Sequence, residues 1–183
     1  MANPRMSLVF QYGSNCTAGR LKGLARLNGH AEDLGLAQTV DDFGIAFDVY
    51  SQTNACAASD LVSTPGQKAW GILYDIPDDF IHGKRLDGKK TLAQIEGPAY
   101  EEKRIRVHSK EGNEVEAITF LVKEDKRRAG IATSAAYVSW IVYGLREHGA
   151  SEDYISHVLA VAIETNQRAG ASAAEQTRLI KTL

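Results

Sequence analysis

The 183-residue sequence has two cysteines, Cys16 and Cys56, in no metal-ligand spacing. That excludes a disulfide framework and a cysteine zinc site, and both read as free thiols in a reducing cytoplasm. The five histidines, His30, His82, His108, His148 and His157, fall in no ligand spacing either, and each reads as a surface or helix-end residue. No apolar run approaches the roughly 20 residues that a membrane span needs. The opening Met1–Met6 lacks the apolar core of a signal peptide. Charge of one sign is also scarce: the formal net charge is −2 and the pI is about 6.2. Without a basic excess, a nucleic-acid surface is not expected. There is no Gly-x-Ser-x-Gly elbow, no Walker loop and no Gly-x-Gly-x-x-Gly. No cofactor, no metal, no nucleic acid and no membrane are therefore expected, and the compartment is expected to be cytoplasmic.

What is present suits one globular domain over residues 1–183, with a core of about 7–163. Residues 164–183 read as a polar, Ala-rich C-terminal extension that is loosely docked. Ser7–Tyr12, Glu32–Asp42, Ile45–Tyr50, Lys68–Ile76, Tyr100–His108 and Glu114–Val122 have strand patterns. Glu111-Gly112-Asn113 is a hairpin turn between the last two. Ser51–Gly66 reads as a long polar loop, and Lys123–Arg128 as a solvated basic connector. Helical spacing is expected from Thr17 to Leu27, with Leu21, Leu24 and Leu27 on one face. It recurs at Thr91–Glu96, Thr133–His148 and, after the Ser151 cap, through Ala162. Strands first and helices last argue for an α+β fold, a small mostly antiparallel β-barrel flanked by helices.

Two places stand out for chemistry. The strand Ser7–Tyr12 stops at Gly13-Ser14-Asn15, and a helix begins soon after. Strand, tight turn and helix start expose backbone N–H groups that attract anions, and glycine admits a ligand close to the backbone. An ordinary strand-to-helix turn capped by Asn or Thr fits the same residues. The second place is Glu96, at the end of Leu92–Ile95 and just before Gly97-Pro98. A carboxylate there opposes the helix dipole, so it breaks a local rule. A solvated surface glutamate is the alternative.

Tyr12-Gly13-Ser14-Asn15 after Leu8-Val9-Phe10, with Arg20 and Leu21 following, resembles the signature loop of the gamma-glutamylcyclotransferase-like family. Trp70-Gly71-Ile72-Leu73-Tyr74 is similar to the family's strand before the acid, and Ile95-Glu96-Gly97 with Tyr100 to the acid itself. Tyr143–Tyr154 resembles the family's helical end. The resemblance spans about Leu8 to Leu159. It implies an antiparallel barrel with helices against it and a cavity at one end. It implies that Tyr12, Gly13, Ser14 and Asn15 hold a small γ-glutamyl substrate by their backbone, that Glu96 is the general acid/base, and that Tyr100 is a pocket tyrosine. Cys16 stands where the family has a large aliphatic residue and Phe120 where some members have a pocket tyrosine. Gly83–Lys90 lengthens the approach to Glu96.

The implied reaction is attack of the substrate's α-amine on its own γ-carbonyl, giving 5-oxoproline and a released amine. The Gly13–Cys16 backbone would stabilise the oxyanion. Glu96 is expected to face an apolar-walled cavity, large enough for a folded glutamyl group, with a raised pKa. A non-catalytic small-molecule or partner-binding module, and a hydrolase or acyl transferase using water at the same cavity, are the competing readings on such a fold. The chain is expected to be a monomer or a homodimer.

Overall fold

The computed structural model describes residues 4–181. Met1–Asn3 and the last two residues of the 164–183 segment lie outside the described residues. Seven strands and six α-helices follow in mixed order. The strands are β1 (Met6–Gln11), β2 (Glu32–Thr39), β3 (Phe43–Ser51), β4 (Cys56–Ser63), β5 (Trp70–Pro77), β6 (Tyr100–His108) and β7 (Glu114–Val122). The helices are α1 (Ala18–Leu21), α2 (Asp78–Ile81), α3 (Leu92–Glu96), α4 (Ala135–Glu147), α5 (Glu152–Arg168) and α6 (Ala173–Ile180).

Five strands close into a barrel in the order β1-β5-β2-β6-β7. Every pairing is antiparallel except the closing contact of β1 with β7, where Val9 faces Ile118. Val9, Phe10, Ile72, Tyr74, Ile76, Val107 and Ile118, on the two faces of the sheet, are buried with almost no exposed surface. Burial of about 1.5–3 kcal/mol per large apolar side chain drives this closure. The α+β barrel flanked by helices is as the sequence leads one to expect.

Helix α4 holds the opening turn in place. Ser134 caps it by accepting from the Tyr137 N–H at 3.1 Å. Tyr137, Val138, Ile141, Val142 and Leu145 bury one face. Gly144 lies so close to the turn that a Cβ there would fall 2.2 Å from the Cys16 carbonyl carbon. Only glycine allows that approach. Thr17 Oγ1 donates to the Trp140 carbonyl at 2.6 Å, and the Tyr74 hydroxyl donates to the Asn15 carbonyl at 3.2 Å. Along the C-terminal segment, α6 buries Leu179 completely, and Glu175 Oε1 accepts from the Ala135 N–H at 3.1 Å.

Three local expectations are corrected. The helix expected over Thr17–Leu27 ends at Leu21. Gly23 starts a run of turns, and Asn28 and Gly29 both take positive φ, so Leu21 and Leu27 are buried while Leu24 is 76% exposed. The loop expected over Ser51–Gly66 contains β4, which pairs with β3 as a two-stranded sheet apart from the barrel. Lys123–Arg128 is not wholly a solvated connector. Arg127 Nε donates to Asp60 Oδ2 at 2.8 Å, while Asp60 Oδ1 accepts from the Leu61 and Val122 N–H groups at 2.8 and 2.9 Å. Asp60 is fully buried, so this network ties β4 to the end of β7.

Asp48 is the weak member of that network. It lies 3.8 Å from Arg127 Nε, and its Oδ1 is buried without a partner. Burial first, then the Asp60 charge, pushes its pKa up to about 6. Unfolded, an aspartate titrates near about 3.9. Folding therefore takes up a proton between those values, and this group's contribution to stability falls as pH rises through about 6. Asp48→Asn should stabilise the protein at pH 7 by up to about 3 kcal/mol. The gap from wild type should close as pH drops toward 4, read by urea unfolding; a gap independent of pH contradicts the assignment.

Candidate functional site

The turn and the acid meet although 81 positions separate them. Strand β1 delivers Gln11 and Tyr12 to the barrel end. A 3-10 turn over Ser14–Cys16 follows, closed by the Cys16 N–H donating to the Gly13 carbonyl at 2.9 Å. Such a turn leaves the N–H groups of Ser14 and Asn15 without partners inside it. Across the cleft, α3 begins at a capping box in which Thr91 and Gln94 bond reciprocally, and it ends at Glu96. The capping box fixes the helix, and hence the acid, against the barrel mouth.

Asn15 joins the two sides. Its Nδ2 donates to Glu96 Oε1 at 3.0 Å and to Gln11 Oε1 at 3.2 Å. Its Oδ1 accepts from Arg26 Nη1 at 2.8 Å. Tyr12, Gly13, Ser14, Asn15, Glu96 and Tyr100 line one cleft, so the structure brings together six of the seven expected residues. Cys16 is the exception. It is fully buried behind the turn, its thiol donates to the Gln11 carbonyl at 3.2 Å, and its N–H is held by Gly13.

Ser59, Tyr137 and Phe120 complete the wall with Gln11. The Tyr137 hydroxyl accepts from the Ser59 N–H at 3.1 Å and lies 3.0 Å from Ser59 Oγ. Tyr100 donates to the Ser59 carbonyl at 2.8 Å and Tyr12 to the Phe120 carbonyl at 2.5 Å. A Cβ on Gly13 would fall 2.5 Å from Ser59 Oγ, so the glycine of the turn makes room for Ser59. Ser59 and Tyr137 carry no local signal. One sits in the strand that resembles a loop, the other on the buried face of α4.

The electrostatics of Glu96 are now explicit. Burial raises its pKa above the ordinary value. The Arg26 charge is the largest opposing influence, followed by hydrogen bonds from Gln11 and Asn15 and by the Arg20 charge. Burial likewise raises Tyr12, Tyr100 and Tyr137, so all three remain neutral hydroxyls at pH 7. The expected apolar wall is corrected: amides, hydroxyls and two nearby guanidiniums surround the acid. The expected size is corrected too. The cleft encloses about 30 Å³, room for a water or two. A folded glutamyl group is larger than that space.

A larger space of about 670 Å³ shares no residue with this cleft and is lined by Asp33, Lys110, Glu111, Glu147 and His148, among others. His148 has Nδ1 2.6 Å from the Gly144 carbonyl and Nε2 2.7 Å from Asp33 Oδ2, so both nitrogens are already engaged. Among the described residues, no group of His, Cys, Asp and Glu could hold a metal, and no helix is long and apolar enough to cross a membrane.

Residues 68–158, which carry β5 through the first two turns of α5 and include Glu96, match the family model of the AIG2-like family. Over this stretch the chain is similar to the AIG2-like family, and its fold is shared with solved structures. A solved structure named gamma-glutamyl cyclotransferase superposes with a TM-score of 0.71 at 22% identity, covering 97% of this chain and 99% of its own. An uncharacterized protein from Homo sapiens gives 0.71 at 23% identity, covering 96% and 98%. YkqA from Bacillus subtilis gives 0.66 at 19% identity, covering 88% of this chain and 55% of its own. At these identities the likeness establishes the fold. No curated protein matches the sequence.

The Asn15 bridge makes a prediction. Asn15→Leu removes a hydrogen bond that favours the Glu96 carboxylate, so the Glu96 pKa should move further up. Carboxyl-carbon NMR titration should show the midpoint at higher pH than in wild type; an unchanged or lower midpoint contradicts the assigned cause.

Proposed function

We propose that the protein is a γ-glutamyl cyclotransferase. The observation that carries this reading is the Asn15–Glu96 hydrogen bond, which sets the turn and the acid on one cleft. The γ-glutamyl group would fold against the turn with its α-amine aimed at its γ-carbonyl. Holding that pose supplies much of the rate, because an intramolecular attack needs orientation above all. Glu96 takes a proton from the α-ammonium, and the freed amine attacks the γ-carbonyl carbon. Charge develops on the carbonyl oxygen, where the N–H groups of Ser14 and Asn15 can donate; one such donor is typically worth about 3–4 kcal/mol. As the tetrahedral intermediate collapses, Glu96 returns that proton to the leaving nitrogen and takes the second proton from the ring nitrogen, which passes on to the released amine as it becomes an ammonium. The products are 5-oxoproline and an amine or amino acid.

The raised pKa of Glu96 supports this role. With model values of about 4.3 for Glu and about 8 for an α-amine, the first proton transfer is uphill by roughly 5 kcal/mol. Any rise in the glutamate narrows that gap. The Arg26 charge, the Gln11 and Asn15 hydrogen bonds and the Arg20 charge oppose the rise. A non-catalytic binding module on the same fold is favoured by one observation, the closed 30 Å³ cleft. Turnover decides between the two.

Incubation with a panel of γ-glutamyl dipeptides and γ-glutamyl amines should release 5-oxoproline. Glu96→Gln should keep the wild-type Tm and lose roughly 10²–10⁴ in kcat, the usual worth of a general acid/base. Near-normal turnover by that variant removes Glu96 from the chemistry. Saturable binding of the panel without turnover by wild type would instead support the binding module.

A further inference from the structure

Beside the cleft, behind Asn15 and Glu96, stand two cations that the proposed proton transfers do not use. Arg26, from the turns after α1, reaches Asn15 Oδ1 with Nη1, its one hydrogen bond from the guanidinium among the described residues. Arg20, in α1, stacks over the Trp140 ring with its guanidinium carbon 5.1 Å from the centroid. Its Nη2 makes only a long 3.4 Å contact with Asn54 Oδ1, and its Nε is buried with no acceptor. Neither guanidinium is in ion-pair contact with a carboxylate among the described residues. Yet the two lie close enough to disfavour each other: Arg20 lowers the pKa of Arg26, after burial, while Glu96 opposes both shifts. Two half-buried cations with unfilled N–H donors beside a single carboxyl group make a local excess of cationic groups. Planar guanidiniums with unfilled donors match a carboxylate better than any other common group.

Resting on the cyclotransferase reading, we propose that Arg26, backed by Arg20, is a carboxylate clamp that binds the α-carboxylate of the glutamyl group. The geometry points to that carboxylate rather than to one on the leaving group. On the glutamyl residue the α-carboxylate and α-ammonium share one carbon. The cation placed for the carboxylate must therefore be the one nearest to the acid that handles the ammonium. Arg26 is that cation, since it is the charge Glu96 feels most and shares Asn15 with it. Arg20, held flat on Trp140, adds attraction from one side. The ligand carboxylate would take Arg26 over from the Asn15 carbonyl. Asn15 then keeps its amide on Glu96.

The pair 5-oxoproline and 2-pyrrolidinone tests this directly, because the two rings differ only by the carboxylate. NMR titration of wild type should give at least about tenfold tighter binding of 5-oxoproline. Arg26→Gln should bring the two ligands to within about threefold, Arg20→Gln should reduce the preference, and Arg26→Lys should restore part of it. Each variant is first checked for wild-type Tm and amide dispersion. Arg26 should tolerate the change, because Arg85 Nη1 and the backbone hold its loop and the guanidinium makes one hydrogen bond, to Asn15 Oδ1. Equal affinities in wild type, no binding of either ring, or a preference that survives in Arg26→Gln overturns the clamp. The γ-glutamyl panel reports separately on the reaction. A carboxylate preference without turnover removes the cyclase and leaves the clamp; turnover without the preference removes the clamp alone.

Discussion

The candidate site depends on one side chain. Asn15 donates to Glu96 and Gln11 and accepts from Arg26, so a single amide holds an acid, an amide and a cation in one plane of contact. Among the described residues of the turn, Asn15 is the one whose side chain bonds to Glu96. The rest of the fold serves to keep Asn15 where it is. Its carbonyl is held by Tyr74 from β5, the following Thr17 is tied to α4, and Gly144 lets α4 lie directly on Cys16. The barrel sets one wall, α3 the other, and the amide measures the gap.

That arrangement explains how a carboxyl group can be buried and still useful. Burial alone would push Glu96 up until it held its proton too firmly to act as a base. Arg26, Gln11, Asn15 and Arg20 each pull it back. The balance lies between opposed influences rather than in a dry pocket. The three phenols around it, all raised by burial, supply neutral hydroxyls without adding charge. The nearby Asp48–Asp60–Arg127 network is less well balanced. Asp60 is fully satisfied, and Asp48 carries the residual cost.

Elements with strong local patterns were legible in the sequence. The apolar strands β1 and β5, the hairpin of β6 and β7, and the capped helices α4 and α5 form where periodicity and turn residues put them. Glu96 and the Tyr12–Asn15 turn could be singled out because one breaks a dipole rule and the other is a dense turn signal. What could not be read depends on distant partners. Cys56–Ser63 is a strand because β3 pairs with it, although Ala57, Ala58 and Ser59 have little strand preference of their own. Ser59 and Tyr137 in the cleft and Arg26 beside it come from three separate elements, and no local spacing links them. The Thr17–Leu27 helix fails because Gly23 and Asn28-Gly29 favour turns over the leucine periodicity.

On the proposed reading, this cleft closes a ring within the substrate rather than admitting water to it. A γ-glutamyl substrate labelled with nitrogen-15 at its α-amine, turned over in oxygen-18 water and read by mass spectrometry, tests that most directly. The account predicts 5-oxoproline that carries the nitrogen-15 in its ring and no oxygen-18. Free glutamate bearing oxygen-18 in its side-chain carboxyl would contradict it.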